Sequence, residues 1–372
     1  RLARYFADVN GAFETAPCAA GRDGMCYRQV VTTAPIGWDG SGAAMPFVSM
    51  MGDPRWWGDY RVAVDVLLEE PGYVELLGRV SSVTAARWTA KSSIISGYRL
   101  RWDHLGNWQL YSQDVIGADV VLASGTAEGG TGVWRRLELA MRGTEVRVLI
   151  DGLEVAKVHD DRHTTGQAGI GVSPLTRAQF DNFVIEPTGP WPALVPNSEV
   201  RATASSEHGQ IHMGYVFHAA NAVDDRPETA WHTRFGPTPG PHWITLALDR
   251  EYEVTGLLYQ PKLIDAWDAN TNGNITGYRV LVSEDGQVFE LVAAGVWRPG
   301  MATKIAAWPA RAARYVRLEV LEGTAGHASA GELRLIHAGG EWTPFDYRAF
   351  WINAPVRDAR VEGVQPIEIH GD

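Results

Sequence analysis

The 372-residue sequence is short of several things, and each shortage closes a class of function. It holds only two cysteines, Cys18 and Cys26, so neither a disulfide-rich scaffold nor a cysteine-based metal cluster is available. No apolar run approaches the roughly 18 to 20 residues that a helix needs to cross a bilayer. Positive charge is in deficit: 33 Lys and Arg against 44 Asp and Glu give a formal net charge of -11. With no basic cluster to offset it, that balance argues against nucleic acid and anionic membrane surfaces as partners. Catalytic signatures are missing as well: no Gly-x-Ser-x-Gly elbow, no phosphate loop, and no strand-helix alternation from which a catalytic barrel is built. Adjacent carboxylates occur at Glu69-Glu70 and Asp160-Asp161. Neighbours on a strand face opposite ways, so these read as solvated edges rather than glycosidase pairs. His208 and His212 lie in glycine-rich sequence rather than on a helix, a weak basis for zinc.

What is present points to strands. Forty glycines, twenty prolines and fifteen tryptophans in short segments, with hydrophobic residues at 45%, predict an all-β chain with tight turns and enough apolar mass for two cores. In Gly97–Asp103, Tyr98, Leu100 and Trp102 fall on one face and Arg99, Arg101 and Asp103 on the other, and the return from Trp108 makes a hairpin. A second hairpin turns at Asp151-Gly152. Strands at such short intervals predict a two-sheet sandwich up to residue 187. Pro187, Pro190, Pro192 and Pro196 mark a stiff linker over 188–196, and a second domain follows over 197–339. Cys18 and Cys26 close a small loop, for which a bridge is favoured over two free thiols, in keeping with a secreted or otherwise exported protein. The chain begins at Arg1 without a signal-peptide pattern and reads as a processed or excised piece of something longer. The aromatic tail 340–372, with Tyr347, Phe350 and Trp351, is too apolar to stay free and is expected to pack back on a domain.

The stretch from Ala222 to Phe235 has an acidic turn followed by a Trp-His pair. Asp224, Thr229 and main-chain carbonyls freed around Pro227 offer hard oxygen ligands of the kind calcium takes. A loop tied by such an ion would aim Trp231, His232 and Arg234 in a fixed direction; an ordinary acidic turn before a buried tryptophan is the plainer reading. Trp231, Trp243, Tyr278 and Tyr315 are expected in the core.

Around this stretch run Asn197-Ser198, Ala204-Ser-Ser206, His242–Leu246, Gly277–Val280, Ser283–Gly286, Ala313–Leu318 and Ala330-Gly-Glu-Leu333. In order and spacing, residues 197–339 resemble the discoidin, or coagulation-factor C-type, domain in its galactose-binding carbohydrate-module branch. The resemblance implies a structural calcium held by Asp224, Thr229 and Glu332, with carbonyl oxygens from Arg226 and from Ala220 or Asn221. It implies a sugar site of His232, Lys262 and Asn272, lysine standing where the family usually has arginine. A lysine is a point charge with rotatable donors rather than a planar fork, so affinity or ligand choice is expected to differ. Trp267, in a longer loop than usual, is expected either to stack on the sugar or to pack on its own loop. Asn274-Ile-Thr276 is a glycosylation sequon, discounted because the composition looks bacterial.

Tyr5–Asp8 with Gly11–Glu14, Arg28–Val31, Gly52-Asp53 before Trp56, and Ala178–Phe183 give the first domain a second likeness. Residues 1–187 resemble the C-terminal lectin-like domain of the galactocerebrosidase family, a concanavalin-like jelly roll. That likeness implies a second calcium, with Asp8 and Asp181 as ligands. The expectation is therefore two β-sandwich jelly rolls, concanavalin-like then discoidin-like, binding a galactose-containing glycan or glycolipid. Catalysis is expected to lie in a barrel elsewhere in the same polypeptide or on a separate chain. An adhesion or phospholipid-binding module is the alternative of another class, disfavoured by the acidic charge; a third reading makes the chain part of a complete β-galactoside-cleaving enzyme.

Overall fold

The computed structural model describes residues 6–33, 46–51, 57–83, 95–115, 119–189, 193–212, 215–226, 228–236, 240–262 and 272–339. Trp267, Pro227, the side chain of His212 and the tail 340–372 lie outside the described residues.

The first domain is a sandwich of two seven-stranded sheets. One runs in the order Phe6–Asn10, Phe47–Met51, Gln167–Val172, Tyr73–Val83, Ile95–Asp103, Asn107–Gln113, Val120–Thr126. The other runs Leu153–His159, Glu145–Ile150, Trp134–Arg142, Tyr60–Leu68, Ala178–Pro187, Met25–Gln29, Phe13–Pro17. Alternation decides what each strand buries: Val62, Val64, Val66 and Leu68 enter the core with Tyr98, Leu100, Trp102 and Phe180, while Asp65 faces away. Both expected hairpins form, Arg99 opposite Tyr111 in the first. In the second, Asp151 and Gly152 take φ of +50° and +79°, the left-handed pair that matches a two-residue hairpin turn to the strand twist. Arg99 does not meet water, however. It is 1% exposed beside Glu75 at 0%, with Nη1 3.3 Å from the carboxylate that Arg101 also reaches at 2.8 Å.

Cys18 and Cys26 are bridged, and the loop they close straps the outer face of the second sheet. Its Ala19 N–H donates to Gln179 at 2.8 Å, Arg22 reaches Asp65 and Asp181 at 2.9 and 3.0 Å, and Trp134 Nε1 donates back to Ala19 O.

The second domain is built on two long strands, His242–Gln260 and Lys304–Gly323, paired antiparallel over most of their length. The stretches expected as separate strands at His242–Leu248 and Thr255–Tyr259 are thus one strand, with register shifts between Ala247 and Tyr252 and between Val254 and Gly256. Val200–Ala204 flanks its first half and Glu332–His337 its second, while Ile275–Ser283 and Glu290–Val296 extend the sheet on the far side. The proline-rich linker is shorter than expected. Ala193–Leu194 already pairs with Ile336 and His337, and Val195 is buried in the second core, because three apolar residues after Pro192 have a sheet edge to bury against.

Trp231 and Tyr278 are core residues, as expected. Trp243 and Tyr315 are not: each alternates with a buried neighbour, Ile244 or Val316, and so lies half-buried on the opposite face. The Arg317 guanidinium sits 4.7 Å over the Trp243 ring. Asn274 of the sequon is 3% exposed and donates to Gly300 O, leaving no room for a glycan. The two sandwiches touch through the loop leading into Lys304, which lies against Ser81 and Asp114 of the first domain.

Candidate functional site

The acidic knot forms where a 3-10 turn, Ala219–Val223, ends at Asp224. Asp224 Oδ1 accepts the Arg226 N–H at 3.0 Å, and the Thr229 hydroxyl lies 2.8 Å from Asp224 Oδ2 and 2.7 Å from Arg226 O. Glu332 comes in from the final strand, where it pairs with Gln260, and is 2% exposed. Its Oε1 accepts Asn197 Nδ2 at 2.6 Å; the same amide reaches Asp225 Oδ1 at 3.1 Å, and Arg334 holds Asp225 at 2.5 Å. Burial, with Asp225 and Asp224 adding to it against the pull of Arg334, pushes the Glu332 carboxyl up to about 8. Glu332 Oε2 and Asn197 Oδ1 are buried with no hydrogen-bond partner among the described residues. Crowded carboxylates and orphaned hard oxygens are what a divalent cation relieves, so the donor set fits calcium. Asn197 and Asp225 belong to this cluster too. Neither is among the expected ligands, although Asn197 opens the motif series and Asp225 is the neighbour of Asp224.

The expected first-domain pair does not meet. Asp8 stays exposed on the edge strand and accepts from the Tyr27 hydroxyl at 2.9 Å, Ser49 Oγ at 2.7 Å and Phe13 N at 3.0 Å. Asp181 lies on the outer face with Arg22, beside the sulfurs of Cys18 and Cys26. Cys26 and Tyr27 are successive on one strand and point to opposite faces, and their partners follow them. The sulfurs beside Asp181 are tied in the disulfide and are not thiolate ligands.

The four carboxylates of the adjacent pairs are engaged. Burial pushes the Glu69 carboxyl up, but hydrogen bonds from Arg28 and Gln179 outweigh it and hold it low; the Arg177 main-chain N–H holds Glu70 low. Asp160 accepts from Tyr98, and Asp161 pairs with Arg298.

His232, Lys262 and Asn272 converge on one end of the second domain. A two-residue ladder pairs Trp231 with Ala330 and His232 with Ser329. The Ser329 hydroxyl donates to Asn272 O and its N–H to Gly273 O at 2.8 Å. Lys262 is set by Gly331: a Cβ there would meet Pro261 O at 2.9 Å and the Lys262 Cα at 3.4 Å, so the two strands approach as only glycine permits.

The His232 imidazole is fully buried. Nδ1 lies 2.6 Å from Thr233 O, and since a carbonyl only accepts, Nδ1 carries the proton and Nε2 is an acceptor. Nε2 has no hydrogen-bond partner among the described residues. Phe235 packs edge-on at 4.7 Å, Phe217 lies at 6.1 Å and His327 at 5.2 Å, while His208 stacks on Phe235 at 3.9 Å. Lys262 Nζ sits 5.9 Å from the Phe217 ring centre. Burial first, then Lys262 and the neighbouring histidines, pull the His232 pKa down to about 4 although the Thr233 carbonyl opposes them. The site thus offers a neutral acceptor, a nearby cation and aromatic walls. Phe217 and Phe235 are additional to the residues expected at the sugar site, a phenylalanine three residues past the Trp-His pair being the available signal for one of them, and His208, weighed above only for zinc, stacks here on Phe235.

Known proteins bear on both halves. Residues 201–333 match the F5/8 type C domain. Residues 8–188 match the galactocerebrosidase C-terminal lectin domain. The galactocerebrosidase of Danio rerio is 31% identical over 188 residues, 49% of this chain and 27% of that protein. A sialidase of Micromonospora viridifaciens is 34% identical over 121 residues, 32% of this chain and 18% of that protein. A carbohydrate-binding module from Clostridium perfringens, solved in complex with GalNAc-β-1,3-galactose, is 35% identical with a TM-score of 0.35, covering 38% of this chain and 99% of that one. The chain spans only 18% to 27% of the length of these two curated relatives. The lectin-like half carries the disulfide strap, and the F5/8 type C half carries the knot and the His232 cluster.

Because burial is the main cause of the low His232 pKa, removing the ring packed edge-on should raise it. In a ring-nitrogen NMR titration His232 should titrate near 4, and Phe235→Ala should move it toward the ordinary 6.5. A wild-type value already near 6.5 would contradict the closed geometry.

Proposed function

We propose that the chain is the non-catalytic carbohydrate-binding region of an exported glycoside hydrolase resembling galactocerebrosidase, and that its F5/8 type C half takes a terminal galactose-like sugar from a glycan or glycolipid. The observation that carries this reading is the 2.6 Å contact of His232 Nδ1 with the Thr233 carbonyl, which leaves Nε2 as the acceptor. With Nδ1–H committed to the Thr233 carbonyl, Nε2 accepts from a sugar hydroxyl, and Phe217 and Phe235 give an apolar face on which sugar C–H groups pack. Lys262 donates to hydroxyl oxygens from the side. Since the imidazole is buried, binding requires the rings packed against it to move aside. The match of the other half to a lectin domain supports the same class of ligand. The barrel that performs hydrolysis belongs to the rest of the polypeptide or to another chain.

Calcium completes this reading. Asp224, Thr229 and Glu332, with carbonyls at Arg226 and at Ala220 or Asn221, would hold the ion, which when bound supplies a fixed positive charge between two loops. The knot residues keep the Trp231-His232 ladder in place beside it.

Titrating galactose and lactose into the chain should give micromolar to millimolar affinity, roughly -4 to -8 kcal/mol, and His232→Ala should abolish it. No binding by the parent, or equal binding by both, rejects the site. Independently, EDTA should lower the melting temperature of the wild-type chain but not that of Glu332→Ala, because the ion binds the folded form alone. A wild-type melting curve unmoved by EDTA, with no calcium found by metal analysis, rejects the ion.

A further inference from the structure

The contact between the two sandwiches runs on into the sugar-site loop. Asp114 of the lectin-like half accepts Met301 N–H at 2.8 Å and Ala302 N–H at 3.2 Å on one carboxylate oxygen, with the other 3.0 Å from Met301 N. Ser81 Oγ accepts Thr303 N–H at 2.9 Å. Hydrogen bonds to a carboxylate are among the stronger kinds, and this one takes two successive main-chain donors. Gly300 is shaped for the approach: its φ is +150°, and a Cβ would lie 2.5 Å from Asp114 Oδ2. The Gly300 carbonyl then accepts twice, from Lys304 Nζ at 2.8 Å and from the buried amide of Asn274 at 2.8 Å. Lys304 itself is buried, close enough to Asp114 to feel its charge.

Asn274 is the last residue of the Asn272-Gly273-Asn274 turn. Its N–H donates to Thr324 Oγ1 at 2.8 Å and its carbonyl accepts Thr324 N–H at 2.9 Å. Gly273, with φ of +82°, passes the geometry on: its carbonyl takes the Ser329 N–H, and Ser329 is the ladder partner of His232. Hydrogen bonds joined by single steps of main chain, Met301 to Gly300 and Asn274 to Gly273, therefore lead from Asp114 to Ser329, the ladder partner of His232.

We propose that Asp114, in the first domain, is a positioning residue for the sugar site in the second, fixing the 272–274 turn through Gly300 and Asn274. The lectin-like half is then part of the binding device of its neighbour. This rests on the sugar-site reading above for its consequence, though not for its geometry.

The test uses the full chain with Asp114→Ala, Asn274→Ala, the double variant, and Arg298→Ala, which removes only the exposed pair to Asp161. Two readouts are taken: galactose affinity, and amide hydrogen exchange at Asn274 and Ile275. Asp114→Ala should weaken galactose binding by roughly 3- to 10-fold and speed exchange at both amides, while Arg298→Ala changes neither. The double variant should lose no more than the worse single, because both act on one route. Gly300→Ala, which pushes on Asp114 from the other side, should reproduce the effect should Asp114→Ala fold poorly. Unchanged exchange in both Asp114→Ala and Gly300→Ala, or losses that simply multiply in the double variant, overturns the proposal. If the wild-type chain binds no galactose, the sugar reading falls and exchange alone decides the coupling.

Discussion

The short ladder that pairs Trp231 and His232 with Ala330 and Ser329 is the constraint on which the second domain's working end depends. Trp231 fills the core completely, with its indole N–H satisfied by Ser206 O, so the ladder cannot shift without opening the core. Alternation then fixes the rest. His232, next on the strand, must face away from Trp231, toward Phe235, Phe217 and His327. On the other side of the ladder Gly331 and Glu332 continue the chain, the glycine setting Lys262 and the glutamate entering the knot. One pair of dipeptides thus ties a cluster of oxygen donors to a neutral imidazole.

Much of this was legible in the residues. Strict alternation around Tyr98, Leu100 and Trp102 gave a strand and its buried face, and Asp151-Gly152 between two apolar-alternating runs gave a hairpin, because these signals are local. The grouping of His232, Lys262 and Asn272 was implied by the resemblance to discoidin-type sugar modules and not by any local pattern. Non-local facts were not legible. Alternation puts Arg99 on the face away from Tyr98 without saying whether that face meets water, and it lies buried against Glu75. Asp8 and Asp181 stand near the two ends of one domain, yet a single-residue step between Cys26 and Tyr27 separates their surroundings. Nor does any local pattern announce that Asp114 meets Met301, 187 residues away.

The polar chemistry is distributed unevenly between the halves. The outer face of the lectin-like half is a grid of ion pairs: Arg22 and Arg136 share Asp65, Arg28 pairs with Glu69, and Arg61 bridges Glu138 and Glu186. These pairs are part-buried, and their charges neutralise one another. In the F5/8 type C half Glu332 and His232 are buried with hydrogen-bonding capacity left over among the described residues, as Glu75, Arg99 and His163 are in the lectin-like half. Buried polar groups of that kind cost stability unless a ligand or ion meets them; Glu332 and His232 differ from the others in standing beside an acidic knot and a set of aromatic rings.

The proposed sugar site turns on the neutral, acceptor-side Nε2 of His232 as the atom that receives a sugar hydroxyl. The most direct measurement is nitrogen-15 NMR of the imidazole in calcium-containing buffer near pH 7, with and without saturating methyl β-galactoside. A single neutral tautomer protonated at Nδ1 is expected, with the Nε2 resonance shifting on sugar addition and the Nδ1 resonance holding its position. An Nε2 resonance that does not move at a sugar concentration where other amides report binding would contradict it.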